Sequence, residues 1–216
     1  MEARQEFAIR QLDADQRIFP SNANGGKCIM MPRFDILPTT LEGLTALRRN
    51  PVGDSRGFLE RMFCAKQFAH ILGGKAIDQI NRTLTGKCGS VRGMHFQNAP
   101  HAEIKFVTCL RGEVFDVAVD VRKNSPTFLH WHGELLTQEN HTTLLIPEGF
   151  AHGFQALSSD CEMLYFHTAA YHTDSERALN AQDPRLAIKW PMAITEQSDR
   201  DKTHPLITPD FKGVTL

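Results

Sequence analysis

An all-β fold, a sandwich or a barrel, is what this chain of 216 residues predicts. Three observations carry the prediction. Between Ile77 and Phe166 the runs KFVTCL, EVFDVAVDV, TTLLIPEGF and EMLYFHT are rich in β-branched and aromatic residues. Each is short and bounded by Gly, Pro, Asn or Ser, as strands joined by turns are. Their regular spacing is that of a sandwich or barrel, in which alternate side chains face inward. Alternation places Lys105, Val107 and Cys109 on one face of their strand and Met163, Tyr165 and His167 on one face of theirs.

The remaining elements follow in order. Residues 1–28 end in SNANGGK and read as a polar arm joined flexibly to a single domain over 29–216. From Phe34 to Leu47 apolar residues recur at alternate positions, with Pro38 and Gly43 as breaks, which predicts edge strands. GDSRG at 53–57 is a turn. Phe63, Phe68, Ile71 and Leu72 fit one face of a short helix closed by Gly73 and Gly74. After Tyr171 the chain is polar and helix-compatible, through DPRLAIKWP and QSDRDKTHPLI, so a few short peripheral helices complete the fold.

The totals exclude several function classes. With 24 basic and 25 acidic residues the net charge is -1, so no basic footprint for nucleic acid or an anionic membrane is present. No run approaches the roughly 18 apolar residues that span a bilayer. The first 28 residues lack the apolar stretch of a secretory signal. Five cysteines, odd in number and without a CxxC pair, disfavour a disulfide framework or a zinc site and fit a reducing cytoplasm.

Residues 92–154 hold four polar side chains that could form one proton-transfer site: Arg92, His95, Lys105 and His152. His95 in RGMHFQ is a natural general base near neutral pH, or a satisfied core histidine. Lys105 shares its strand face with Val107 and Cys109, so either that face is solvated or the ammonium awaits negative charge. Together an imidazole and an ammonium suit enolisation: one removes a proton beside a carbonyl, the other stabilises the oxyanion. Inversion also needs a proton from the opposite face, and Tyr165 is a candidate for that role or a core anchor. Arg56 and Arg92 are fork-shaped donors suited to phosphate, or ordinary turn arginines. His152 lies between Phe150 and Phe154 and reads as a buried structural histidine. His130 and His132 flank Trp131 as a polar outer face. His95, His101, Glu103 and His152 are types that a divalent metal takes in a small barrel, but His95 is followed by Phe96 and Gln97 rather than by a second histidine two residues on. No metal or other cofactor is expected.

These blocks, from GDSRG through RGMHFQ, KFV, EVFDVAVDVRKNSPTF, IPEGFAHGFQAL, EMLYFHTAAY and DPRLAIKWP, resemble in one order the dTDP-4-dehydrorhamnose 3,5-epimerase family over roughly residues 33–207. The resemblance implies a cupin-type jelly-roll β-barrel without metal, usually a homodimer through its N-terminal strands, acting on nucleotide-linked 4-keto-6-deoxy sugars. By position it implies that His95 is the base, Lys105 the enolate-stabilising cation, Tyr165 the catalytic tyrosine and Asp201, in SDRD ahead of HPL, the carboxylate orienting the base. It places Arg56, Gln79, Asn81 and Arg92 at the diphosphate and sugar, His152 in the pocket, Tyr171 at the nucleotide and Glu176 at the nucleoside. Leu59 and Arg61 stand where the family usually has an aromatic and an acid, Ala170 precedes Tyr171 where two tyrosines are usual, and Ala181 takes the place of a Trp. These departures leave the nucleotide open among dTDP, GDP, CDP and UDP. Related activities, single-centre epimerisation and 3,4-ketoisomerisation, remain alternatives.

Overall fold

The structure, a computed structural model, describes residues 33–216; the arm at 1–28 lies outside the described residues. Thirteen strands and two short helices are present among them: β1 Phe34–Pro38, β2 Thr45–Arg49, β3 Val52–Asp54, β4 Gly57–Leu59, α1 Ala69–Leu72, β5 Gln79–Thr85, β6 Val91–Gln97, β7 Lys105–Arg111, β8 Glu113–Asp120, β9 Trp131–Thr137, β10 Thr142–Ile146, β11 Phe150–Ala156, β12 Cys161–His167, β13 Glu176–Ala178 and α2 Asp199–Thr203. A six-stranded sheet runs β1-β2-β10-β7-β12-β5, a five-stranded sheet runs β13-β6-β11-β8-β9, and β3-β4 is a separate hairpin. All pairings between these strands are antiparallel. Two such sheets face to face form the jelly-roll arrangement.

Alternation along the strands divides the apolar residues into three clusters. Between the sheets lie Ala46, Val107, Cys109, Leu144, Phe150, Phe154, Met163 and Tyr165. The outer face of the five-stranded sheet carries Val91, Phe115, Val117 and Val119 and is covered by the chain after Leu179, including Trp190 and Phe211. The six-stranded sheet turns Leu47, Phe106 and Leu145 outward under Phe63, Phe68 and Leu72. Each large side chain removed from water contributes about 1.5–3 kcal/mol, so both coverings stabilise faces that would otherwise be exposed.

Three sequence expectations change. Of the stretch Phe63–Leu72 only Ala69–Leu72 is helical; Phe63 packs edge-on against Phe106 at 5.3 Å from outside the helix, because covering the sheet needs its ring and not its backbone geometry. β1 is an edge strand as expected, but β2 pairs on both sides, with β1 and β10. DPRLAIKWP forms turns, because Asp183 side-chain oxygens accept the N–H groups of Arg185 and Ile207 and so fold the segment back on itself.

Candidate active site

A cavity of about 150 Å³ opens between the sheets, walled by Gln79, Asn81, Lys105 and His167 on the six-stranded side and by His95, Gln97 and Glu176 on the other. Strand alternation aims these side chains inward; Gln79 and Asn81 are two apart on β5, as are His95 and Gln97 on β6.

His95 has its Nε2 2.7 Å from Asp201 Oδ1. The carboxylate arrives from α2, whose N-cap Ser198 accepts the Asp201 N–H at 3.0 Å. Its second oxygen accepts the Gly93 N–H at 3.4 Å. Gly93 adopts φ +124°, and a Cβ there would lie 2.5 Å from the Gly153 Cα, so only glycine lets β6 approach β11 this closely. The β6–β11 register shifts between His152 and Phe154 at the same point. Burial would raise the Asp201 carboxyl, but the hydrogen bond and charge of His95 outweigh it and hold the group below its ordinary value. An ionised Asp201 accepting from Nε2 leaves Nδ1 as the nitrogen free to take a proton.

Lys105 is buried, and neither reading open at the sequence level describes it fully: its ammonium already has an anion. Glu103 Oε1 lies 3.2 Å from Nζ, and Glu103 Oε2 lies 2.7 Å from His167 Nδ1. Burial would raise the Glu103 carboxyl, yet Lys105 and His167 hold it below its usual value. Nζ also donates to the His95 carbonyl at 3.4 Å, which fixes the ammonium beside the base.

Tyr165 stands on β12, across the inter-sheet space from β6. Its hydroxyl is 3.4 Å from Thr83 Oγ1, and burial pushes its pKa up, so the phenol stays protonated at neutral pH. It is buried and is not among the residues that wall the cavity. His152 is likewise buried: its Nε2 bonds both oxygens of fully buried Asp116, at 3.0 and 2.9 Å. That is the structural histidine read from the strand pattern, and it packs edge-on to Tyr165 at 6.2 Å. At the mouth, the Tyr171 hydroxyl donates to Glu176 at 2.8 Å, and Arg200 pairs with the same carboxylate.

The structure therefore gathers His95, Lys105, Gln79, Asn81, Tyr171 and Glu176 in the cavity wall, with Asp201 bonded to His95; Tyr165 and His152 are buried and not part of that wall. Arg92 is exposed on β6, outside the cavity lining. Arg56 lies at the tip of the β3–β4 hairpin, 87% exposed and paired with Asp54. Sequence reasoning missed His167 and Gln97 as cavity residues and Glu103 as the partner of Lys105. The two-residue spacing of Glu103 from Lys105 and of His167 from Tyr165 was the available signal.

The donor set weighed for a metal does not converge. Glu103 is held by Lys105 and His167, His152 by Asp116, and His101 stacks on His172 with centroids 3.9 Å apart. A different set, His95, Asp201 and His204, has ligand atoms within 4.8 Å of one another and could hold a cation.

Residues 38–208 match the family model described as dTDP-4-dehydrorhamnose 3,5-epimerase. The dTDP-4-dehydrorhamnose 3,5-epimerase of Escherichia coli is 42% identical over 159 residues, which cover 73% of this chain and 85% of that one. The Sinorhizobium fredii enzyme of the same name is 41% identical over 160 residues, covering 74% and 82%. Among solved structures, Legionella pneumophila dTDP-6-deoxy-D-glucose-3,5-epimerase RmlC in complex with dTDP-4-keto-L-rhamnose is similar with a TM-score of 0.78 and 37% identity, covering 85% of this chain and 99% of that one. ChmJ of Streptomyces bikiniensis, a 3'-monoepimerase in complex with dTDP-quinovose, has a TM-score of 0.71 and 32% identity, covering 78% and 86%. Fold, ordered motifs and an imidazole–carboxylate pair beside a buried ammonium agree with this likeness: the chain belongs to the dTDP-4-dehydrorhamnose 3,5-epimerase family and is an isomerase that epimerises nucleotide-linked 4-keto-6-deoxy sugars.

Proposed function

We propose that the substrate is a dTDP-linked 4-keto-6-deoxy sugar and that both C3 and C5 are inverted. The observation that supports the enolate chemistry is that His95 and Lys105 wall one cavity, with the ammonium 3.4 Å from the base residue's own carbonyl. His95, oriented by Asp201, removes the proton at C3 or C5; the C–H electrons form the enolate, and its oxygen is stabilised by Lys105. Tyr165, kept protonated by burial, returns a proton from the opposite sheet. Desolvation strengthens each of these interactions, so the ammonium supplies the larger share of the rate.

Gln79, Asn81, Tyr171 and Glu176 line the route for the sugar and nucleotide. Support for dTDP comes from the relatives, whose names specify it. The chain acts as a homodimer in the cytoplasm. The apolar Ile36, Ile80 and Leu84 on β1 and β5, with Val52, Phe58 and Leu59 of the hairpin, are exposed in a single chain and need a covering surface. Light scattering after gel filtration checks the pairing, and a monomer at micromolar concentration would refute it. No helix among the described residues is long and apolar enough to cross a membrane.

Incubation with the dTDP-linked substrate in heavy water tests the chemistry. Deuterium entering both C3 and C5, read by NMR, supports double inversion. The likeness to a monoepimerase supports a second reading, in which only one carbon exchanges. Absence of exchange at both would rule out the enolate.

A further inference from the structure

The cavity holds a second imidazole–carboxylate pair besides His95–Asp201. His167 Nδ1 lies 2.7 Å from Glu103 Oε2, the same separation as His95 Nε2 from Asp201 Oδ1. The two pairs stand on different sheets: His95 on β6 of the five-stranded sheet, His167 on β12 of the six-stranded one. Both imidazoles wall the cavity, whereas Tyr165 is not among the lining residues and has its hydroxyl at Thr83. His167 follows Tyr165 on the same face of β12, with the rings 6.0 Å apart. Its other nitrogen, Nε2, is 3.4 Å from the Asn81 amide, which also walls the cavity.

Double inversion sets a requirement that one phenol meets poorly. C3 and C5 flank the ketone on opposite sides of the sugar ring, and each must receive a proton on the face opposite the base. We propose that His167, held by Glu103, is a second proton donor of the reaction and serves one of the two carbons while Tyr165 serves the other. The inference rests on the enolate reading above. In the step, the Nε2–H bond of the imidazolium breaks, the enolate electron pair forms the new C–H bond, the ketone is restored and His167 is left neutral. Solvent restores the His167 proton and takes the one gained by His95, whose side chain is 33% exposed. Glu103, whose other oxygen pairs with Lys105, holds the ring through Nδ1.

His167→Asn is the informative variant, because the asparagine amide can still donate to Glu103 from near the Nδ1 position but has no acidic proton for carbon. The probe is a dTDP-linked 4-keto-6-deoxy sugar in heavy water, followed by NMR for deuterium entry and inversion at each carbon separately. The variant is expected to keep deuterium entry at both carbons, since His95–Asp201 is intact, while inversion at one carbon slows on the order of 10²-fold and a singly inverted product accumulates. Double inversion at the wild-type rate overturns the proposal. So does an equal fall in exchange and inversion, which is the signature of a residue that only shapes the pocket. His167→Phe gives the same reading if the asparagine variant does not fold. Wild-type protein that exchanges neither carbon refutes the enolate reading itself and this inference with it, so the two failures are told apart.

Discussion

Asp201→Asn removes one charge from the site and almost nothing else. The carboxylate is buried and lies 2.7 Å from His95 Nε2. A hydrogen bond to a charged partner contributes about 1.5–3 kcal/mol and a neutral one about 0.5–1.5. Loss of the charge therefore raises the energy of the imidazolium, and with it the proton-abstraction barrier, by about 1–1.5 kcal/mol, roughly tenfold in rate. A second loss comes from the tautomer. Asparagine can turn its NH₂ toward Nε2, which moves the ring proton to Nδ1 and removes the base in that fraction of molecules. The two effects together put deuterium entry at C3 and C5 at 10- to 10³-fold below wild type, by order of magnitude. Substrate affinity should barely move, because Asp201 does not wall the cavity. Exchange in heavy water, with binding measured separately by calorimetry, is the assay. Exchange within twofold of wild type in a folded variant would refute the role given to Asp201.

Lys105→Ala should lose about 10²–10³-fold in turnover yet still bind the nucleotide sugar, since the ammonium acts chiefly on the enolate oxygen; turnover followed by NMR checks this. Asp120 accepts from Arg122, Ser125 and Thr127, which outweigh burial and lower its pKa from 3.8 to about 2. Its contribution of roughly 2 kcal/mol is therefore whole above about pH 4 and fades as the pH falls toward 2. Urea midpoints of the wild type and Asp120→Asn should differ at pH 7 and converge at pH 2. Gly93→Ala places a Cβ 2.5 Å from Gly153 and forces an alanine to φ +124°, so it should lower the melting temperature and slow exchange together; a wild-type melting curve would contradict the crowding. Cys109 is buried with its pKa raised to about 12 by desolvation, so it should resist alkylation until the protein unfolds, as mapped by mass spectrometry.

Most of the barrel was legible because strand facing repeats with a period of two and is local. Lys105, Val107 and Cys109 do share an inward face, and the cavity polar groups sit on the same alternation as the core residues beside them. What the residues alone did not reveal depends on separation in the chain. Asp201 stands 106 residues from His95, and only the family likeness paired them. The Glu103–His167 pair spans 64 residues and had no such guide. Arg56 carries its motif on a separate two-stranded hairpin, exposed and paired with Asp54, a placement that strand alternation does not reveal. The C-terminal covering of the five-stranded sheet was also hidden, because turns held by Asp183 lack any period to detect.

The helix that delivers Asp201 is five residues long and follows almost the whole barrel in chain order. Strands β5 to β12 are complete before it is made, so an emerging chain can close its sheets while the histidine on β6 still lacks its acidic neighbour. The catalytic pair is therefore complete only once a segment beyond the sheets is in place. The same segment carries Ile207, Phe211 and Val214 onto the outer face of the five-stranded sheet, so one stretch of chain both covers that sheet and completes the base.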